Sequence, residues 1–283
     1  MSNDNNTASV PASQHAREIA EGRRFEFGDN WRHFLAHVDD ERITEAVGSL
    51  QSMLGVATLE GKSFLDIGSG SGLFSLAARL LGANVHSFDF DPASVACTRE
   101  LRRRYREHDA GWKIEEGSVL DRDYIESLGR FDVVYSWGVL HHTGNMRAAI
   151  DNAMSRVKPD GVFFIALYND EGFISRYWLA VKRLYNRVPW TQWPLRLVYA
   201  PYFVGLGLIV NRLRYRGGKR SRRGMTLWYD MIDWLGGYPF EVVSPAKMND
   251  HAVKRGFELI NSCYTGFGMG CNEYVYRRTA SGA

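Results

Sequence analysis

Four residues that recur at every second position could together bind a charged ligand: Asp66, Gly68, Gly70 and Gly72. An apolar run from Phe64 predicts a buried strand that ends in these glycines, and an apolar-periodic helix is expected to start after them. Glycine is needed because a Cβ atom would block the approach of a ligand to the backbone. A strand, a glycine turn and a helix start together present backbone N–H groups to a nucleotide-like ligand.

A second acid, Asp89, ends the next predicted strand about 20 residues further on, where an acid can accept from both hydroxyls of a ribose. These features fit two ligand classes. A dinucleotide fingerprint would require glycine in place of Leu73, and Asp66 would repel a pyrophosphate. An acid instead suits a ligand with a cationic amino-acid end. The alternative is a glycine-rich turn in another kind of α/β protein.

At these residues the chain resembles the class I S-adenosylmethionine (SAM) dependent methyltransferases, whose first motif reads much like LDIGSGSG at 65–72. VLHHT at 139–143 and ALYN at 166–169 are similar to the branch with the ubiquinone and menaquinone biosynthesis methyltransferases. The resemblance implies SAM as the cofactor. The chain departs from the family pattern at Ser118, where Asp is common, and Asp121 is a candidate substitute. The residues that it assigns to the cofactor are Trp31 (as a lid), Asp66, Gly68, Ser69, Gly70, Asp89, Phe90, Ser118, Val119 and Trp137.

Alternating strands and helices between Ser63 and Tyr168 predict a doubly wound parallel sheet of the α/β class. The resemblance implies that two later strands complete a Rossmann-like sheet of seven strands, with the last one antiparallel. The residues after the fifth strand are too many for a simple connection and predict a helical cap. We therefore expect a disordered or helical lead over 1–22, a SAM-binding core with N-terminal lid helices over 23–168, a cap over 169–241, and a C-terminal helix and strand hairpin over 242–283.

Local signals place two helix starts and one turn. Asp91 followed by Pro92 is typical of the first turn of a helix. Thr143 or Asn145 is expected to cap the helix that ends near Val157. The Lys-Pro-Asp-Gly segment at 158–161 predicts a turn before the fifth strand.

Methyl transfer to a hydroxyl oxygen is helped by a base within hydrogen-bond reach of the acceptor. The histidine pair 141–142 follows the fourth predicted strand, on the rim where such sheets bind ligands, and histidine titrates near neutral pH. The pair can equally shape the turn, and a metal site is not expected because adjacent side chains point apart. The aromatic and acidic segment 228–240 predicts a wall of an acceptor pocket, or else an ordinary cap core. The candidate catalytic residues are His141, His142, Tyr168, Asp230 and Tyr238.

The segment 195–223 is expected to govern access of the acceptor rather than affinity for the cofactor. Its apolar half, 195–210, contains Arg196 and Pro201 and is too short to span a bilayer. One interpretation is a packed cap helix or a dimer interface; the other is peripheral contact with a membrane or with a lipid-linked acceptor. Nucleic-acid binding is disfavoured because no pattern of stacking aromatics accompanies the basic half. That half contains Arg212, Arg214, Arg216, Lys219, Arg220, Arg222 and Arg223.

The chain of 283 residues has a formal net charge of +3, and its apolar content is enough for one large core with a cap. Its three cysteines lack the spacing of a disulfide framework or a zinc site. The polar first residues predict a cytoplasmic protein. We expect methyl transfer to a small-molecule, glycan-like or lipid-like acceptor at a hydroxyl group. RNA methylation and a non-catalytic SAM-binding module are the alternatives.

Overall fold

A seven-stranded sheet organises the chain and confirms the predicted Rossmann-like class. The computed structural model describes residues 10–27, 31, 35, 38–205, 227–265 and 270–279, without the side chains of 10–13, 204, 227, 229 and 230. The strands are Ser63–Ile67 (β1), Asn84–Asp89 (β2), Trp112–Glu116 (β3), Phe131–Trp137 (β4), Val157–Tyr168 (β5), Phe257–Cys263 (β6) and Cys271–Arg278 (β7). Their order across the sheet is β3-β2-β1-β4-β5-β7-β6.

The first five strands run parallel, and β7 pairs antiparallel with both β5 and β6. The strand order reverses between β1 and β4. In open α/β sheets, ligands bind at such a switch point, outside the carboxyl ends of the strands. The glycine loop after β1 and the histidine pair after β4 therefore lie at the same crevice.

Helices cover both faces of the sheet. They are Val10–Ala20 (α1), Asp40–Leu54 (α2), Leu73–Leu80 (α3), Pro92–Tyr105 (α4), Arg122–Ser127 (α5), Met146–Ser155 (α6), Phe173–Arg187 (α7), Gln192–Ala200 (α8), Leu227–Gly236 (α9) and Pro245–Val253 (α10). Short 3₁₀ turns cover Leu140–His142 and Pro189–Thr191, and Pro201–Gly205 is a π turn. One face packs against α2, α3 and α4, and the other against α5, α6 and α10.

The helices α7, α8 and α9 form the predicted cap region and bury their own apolar residues. Val181 and Tyr185 of α7 pack with Met231 and Leu235 of α9 in a cluster separate from the two sheet cores. Their spacing of four residues places each pair on one side of its helix. A cap with its own small core can present its remaining faces to a ligand or to solvent.

The predicted helix starts are observed, with one choice resolved. The Asp91 carboxylate accepts from the N–H of the second residue of α4, as a capping residue does. Asn145, and not Thr143, caps α6, because its Oδ1 accepts from Ala148 N. The Thr143 hydroxyl instead donates to the Leu140 carbonyl at 2.7 Å.

The expected turn at 158–161 is a bulge inside β5. Phe131 of β4 pairs with Val157, whereas Val133, two residues later, pairs with Val162, five residues later. Because Val157 already pairs with β4, the turn-forming residues cannot precede the strand and are accommodated as extra residues within it.

Some predicted features lie outside the described residues. These are residues 206–226, which include the basic cluster 212–223, and residues 266–269 of the glycine-rich segment before β7. Within the ranges that the structure describes, no helix has both the length and the hydropathy to cross a bilayer.

Candidate cofactor and acceptor site

The glycine loop after β1 is packed so closely that two of its glycines have no room for a side chain. Gly68 and Gly70 have φ angles of +77° and +55°, in the left-handed region. A Cβ atom on Gly68 would lie 2.4 Å from Val139 Cγ1, and one on Gly70 would lie 2.9 Å from Trp31 Cε2. The loop therefore contacts both the segment after β4 and the predicted lid residue Trp31.

Replacing Gly68 with alanine should destabilise the protein by about 1–3 kcal/mol more than replacing Gly129, through overpacking against Val139. Gly129 is a matched control, since its φ of +78° carries the same left-handed strain but nothing lies within 4 Å of its Cβ position. The difference between the two losses of stability therefore reports the contact with Val139 alone. Urea unfolding measures it, and equal losses would show that the contact does not restrain the loop.

Two hydrogen bonds to Thr98 join the glycine loop to α4, and the Ser69 side chain makes one of them. The Thr98 hydroxyl donates to the Gly70 carbonyl at 3.2 Å, and the Ser69 and Thr98 hydroxyl oxygens are 2.9 Å apart. Because a hydroxyl has one hydrogen, Ser69 is the donor of the second bond. The Ser69 side chain thus has an internal partner beside the predicted cofactor position.

The carboxylate of Asp89 is oriented by the loop backbone at the carboxyl end of β2. Gly70 N donates to Oδ2 at 2.9 Å and Asp91 N donates to Oδ1 at 3.0 Å. Burial raises the pKa of Asp89 to about 6, although both backbone donors act in the opposite direction. Each oxygen has a second lone-pair position, so the group can still accept from a pair of ligand hydroxyls.

Asp66 ends a buried chain of hydrogen bonds that joins four elements, β3, β2, α3 and β1. Trp112 Nε1 donates to Ser87 Oγ at 2.8 Å, the two serine hydroxyls are 2.6 Å apart, and Ser75 Oγ donates to Asp66 Oδ2 at 2.5 Å. With one hydrogen per hydroxyl, Ser87 must donate to Ser75, so every donor is directed toward the carboxylate. Burial raises the pKa of Asp66 to about 7; Ser75 opposes this shift and Asp89 adds to it.

The N-terminal lead covers Phe90, which follows β2. Phe90 contacts the ring of His15 edge to face at 5.4 Å, and the Arg24 guanidinium carbon lies 4.8 Å from the Phe90 ring centroid. Arg24 also donates to the His142 carbonyl at 3.1 Å and pairs with Glu18 of α1. One arginine therefore joins the cofactor side of the crevice to the histidine turn.

The segment after β3 lies beside Asp89, since Gly117 N donates to the Asp89 carbonyl. Val119 is buried and Ser118 is half-buried. Glu116 at the end of β3 has a buried Oε2 atom without a hydrogen-bond partner in the part of the chain that the structure describes. Asp121, the suggested substitute for Ser118, instead caps α5.

Trp31 and Trp137 both pack with the apolar cluster on the α2–α3 side of the sheet. Trp31 is half-buried and lies over Gly70. The indole N–H of Trp137 donates to Glu273 Oε1 of β7 at 3.0 Å. The contact of Trp31 suits a lid, whereas Trp137 is held against the last strand; their cofactor roles stay predictions.

His142 is locked in one tautomer. Its Nδ1 lies 2.6 Å from the Pro239 carbonyl, so Nδ1 carries the hydrogen and Nε2 keeps its lone pair. Burial lowers the pKa of His142 to about 3, and Lys182 and Arg24 add to this lowering while the Pro239 bond opposes it. The ring is neutral at physiological pH, and such a low pKa makes it a weak base.

His141, His142 and Tyr168 are brought together at the ends of β4 and β5. The ring centroid of His141 is 4.1 Å from that of Tyr168 and 4.3 Å from that of His142. Trp234 and Phe240 enclose Tyr168 from the cap side, with centroids at 5.3 and 5.4 Å. These five rings pack against one another, and we call them the aromatic cluster. They include three predicted catalytic residues.

Tyr238 and Asp230, the other two catalytic candidates, belong to the cap and the segment after it. The backbone carbonyl of Tyr238 accepts from Phe25 N at 2.9 Å, which ties the lead to the cap. Asp230 lies on α9, and its side chain is outside the described part of the chain. Their roles in catalysis stay predictions.

Lys182 of α7 is a fully buried cation that the sequence reasoning missed. Its Nζ atom donates to the Trp234 carbonyl and lies 4.4 and 5.0 Å from the ring centroids of Trp234 and Phe240. Burial lowers the pKa of Lys182 to about 7, against the attraction of Asp233. The available signal was helical spacing, because Lys182 shares the buried face of α7 with Tyr185.

A cavity of about 360 Å³ opens beside the aromatic cluster, and Phe240 is common to both. Asp170, Ser175, Arg176 and Leu179 also line it, so the start of α7 forms one wall. Its volume falls in the range of small-molecule sites. No group of three His, Cys, Asp or Glu side chains suited to a metal ion occurs among the described residues.

Comparisons with known proteins agree with this geometry. Residues 31–206 match the family model described as a methyltransferase domain. The ubiquinone biosynthesis O-methyltransferase of Methylobacterium nodulans is 32% identical over 111 residues, which are 39% of this chain and 43% of that protein. The ribosomal protein L11 methyltransferase of Methylococcus capsulatus is 44% identical over 135 residues, which are 47% of this chain and 41% of that protein.

A solved structure of similar fold is the magnesium protoporphyrin IX methyltransferase from Synechocystis PCC 6803 with bound SAH. It has a TM-score of 0.56 at 14% identity, over 93% of this chain and 100% of that one. In contrast, the present chain spans less than half of the length of the curated relatives named above.

The sheet order, the antiparallel β7 and the acid-bearing glycine loop define a Rossmann-like protein with the fold of the Synechocystis structure. Because the family match covers more than half of its residues, the chain belongs to the methyltransferase domain family. The site fits SAM. The loop leaves no space for a Cβ atom, Asp89 offers two acceptor oxygens, and the buried Glu116 Oε2 lacks a partner among the described residues.

Proposed function

We propose that this protein transfers the methyl group of SAM to a hydroxyl oxygen of a small ring compound of the phenol or quinol class. The observation that carries the proposal is the aromatic cluster, with Lys182 Nζ against two of its rings. Aromatic walls stack on a planar ring and exclude water from it. The name of the Methylobacterium nodulans relative supports an oxygen acceptor on a quinone-type ring.

Bound SAM supplies an electrophilic methyl group on a sulfonium centre. The protein must then hold the acceptor hydroxyl in line and remove its proton, and positioning supplies much of the rate. The neutral form of Lys182 can take that proton, because its pKa of about 7 lies near the working pH. His142, with a pKa of about 3, is better suited to holding the turn against Pro239.

The cavity beside Phe240 is the proposed entrance for the acceptor. Its lining includes Asp170, which precedes α7, and Arg176 of α7, so the opening is polar, whereas Phe240 joins the cavity to the aromatic cluster. An acceptor with a lipid-like tail could keep the tail at the opening and the ring inside. We further propose a cytoplasmic location.

Mass spectrometry of reactions with isotope-labelled SAM tests the proposal. We expect a labelled methyl group on catechol-like or hydroquinone-like rings, in a product that resists mild alkali as an ether does. An alkali-labile product would show a carboxylate acceptor and contradict the hydroxyl assignment. Turnover on RNA that collapses between low and moderate salt would favour the RNA alternative. SAM binding without turnover on any acceptor would favour the non-catalytic module.

A further inference from the structure

Charge is strongly segregated along this chain. Residues 173–229 contain 12 of its 35 Lys and Arg residues and none of its 32 Asp and Glu residues. This segment therefore carries a formal charge of +12, while the rest of the chain carries −9. The described half of the segment, from α7 to the π turn, contributes Arg176, Arg183 and Arg187 as exposed cations.

The same part of the cap exposes large apolar side chains. Trp190 and Trp193 are 78% and 72% exposed, Phe173 is 74% exposed and Leu197 is 72% exposed. They come from α7, the 3₁₀ turn after it and α8, and Tyr177 and Tyr202 are exposed with them. We call these six residues the cap face. The inner sides of α7 and α9 already fill the cap core, so the cap face is in addition to that core.

We propose that the cap face docks in the plane of an anionic lipid bilayer. Tryptophan and tyrosine favour the interface between lipid and water, because each ring has an apolar body and a polar atom. Exposed arginines beside them attract anionic headgroups. An acid-free segment with exposed tryptophans satisfies both conditions at once.

The charge distribution selects a bilayer over a second copy of the chain. Two copies that met through the cap face would bring together two sets of the exposed cations Arg176, Arg183 and Arg187, which belong to a segment without any acid to pair with them. Since the described helices are unable to cross a bilayer, the contact lies along its surface. This surface differs from the segment 195–223 inferred from sequence, because it begins at Phe173 of α7.

Docking would place the cavity opening at the lipid surface. Ser175 and Arg176, which line the cavity, alternate along α7 with Phe173 and Tyr177 of the cap face. A lipid-soluble acceptor could therefore pass from the bilayer into the cavity without crossing bulk water. The docking itself does not rest on the proposed methyl transfer, and it is tested without cofactor or acceptor.

The test is co-sedimentation of the full chain with vesicles of phosphatidylcholine, with or without phosphatidylglycerol. We expect at least tenfold stronger partitioning onto the anionic vesicles, weakened by high salt. The double variant Trp190→Ser, Trp193→Ser should lose at least tenfold of it. A matched control replaces two exposed residues outside the cap, Tyr105→Ser with Val253→Ser, and should stay within twofold of the unaltered protein.

Circular dichroism and SAM binding check that each variant is folded. Absence of binding to anionic vesicles, or equal binding by the tryptophan double variant, would overturn the proposal. Concentration-dependent self-association that the tryptophan double variant abolishes would assign the cap face to a second copy and would also overturn it. Failure of methyl transfer with intact vesicle binding would contradict only the proposed function.

Discussion

Asp89→Asn should weaken the binding of SAM by more than tenfold while the protein stays folded. The carboxylate is oriented by the backbone N–H groups of Gly70 and Asp91, and each oxygen keeps a further lone-pair position that could accept from a ribose hydroxyl. Asparagine has the same shape but only one acceptor oxygen and no charge, so charge-assisted bonds are lost. Isothermal calorimetry measures the change. Unaltered affinity would mean that the ribose lies elsewhere, and the cofactor site as assigned would be wrong.

The same carboxylate predicts how cofactor binding depends on pH. Because burial raises the pKa of Asp89 to about 6 in the unliganded protein, the group is mostly protonated at about pH 5 and mostly ionised at about pH 7. SAM needs the ionised form, so its affinity should rise across this interval. The increase should be much smaller in the Asp89→Asn variant, where position 89 no longer titrates.

The stability of the unliganded protein should change with pH in the opposite direction to the affinity for SAM. A raised pKa means that the folded state binds the proton more tightly than the unfolded chain does, so the stabilising contribution is complete below the ordinary pKa of 3.8. It is lost as the pH rises through about 6, at a cost of about 3 kcal/mol. The rise in melting temperature on adding SAM should therefore be larger at about pH 7 than at about pH 5. An equal rise in melting temperature at both pH values would contradict the link between ionised Asp89 and SAM binding.

Local patterns were enough to predict most of the fold and the position of the glycine loop at the ends of its strands. A strand that runs into alternating glycines predicts where backbone N–H groups face a ligand, and Asp91 with Pro92 predicts a helix start, because both signals depend on neighbouring residues. The antiparallel hairpin followed from the family resemblance. The choice between Thr143 and Asn145 depended on which side chain the turn before α6 brings to its first N–H groups.

The hydrogen-bond chain behind Asp66 could not be predicted in this way. Ser75, Ser87 and Trp112 belong to α3, β2 and β3, and only the packing of these elements brings them together. Each residue alone is an ordinary helix or strand residue. The same holds for Arg24, whose contacts with Phe90 and His142 depend on the path of the lead over the sheet edge.

Lys182 was missed for a different reason. A lysine on a helix is usually a solvated residue, and burying its charge is costly unless a partner or a loss of the proton compensates. Here the Trp234 carbonyl accepts from Nζ, two aromatic rings lie within 5.0 Å of it, and burial lowers its pKa to about 7. A structural explanation is that Lys182 only stabilises the end of α9, where a cation interacts favourably with the last carbonyls.

Lys182→Met should lower kcat for the acceptor by about a hundredfold, the scale of a lost general base, and leave SAM affinity within twofold. Methionine keeps the apolar stem and removes the amine, so α7 should remain packed against Val181 and Tyr185. Arg183→Met, at an exposed position one residue away, is the matched control and should retain full activity. The unaltered enzyme should also show a rise in rate with pH near 7 that the methionine variant lacks.

Lys182→Arg separates a proton-accepting role from a structural one. Arginine can still donate to the Trp234 carbonyl and interact with the end of α9, but it remains protonated at every accessible pH. If Lys182 takes the acceptor proton in its neutral form, the arginine variant should be as inactive as the methionine variant, while circular dichroism and SAM binding check that it remains folded. Recovery of activity with arginine would show that position 182 serves α9 alone. The base would then have to be sought among His141, Tyr168 and Tyr238.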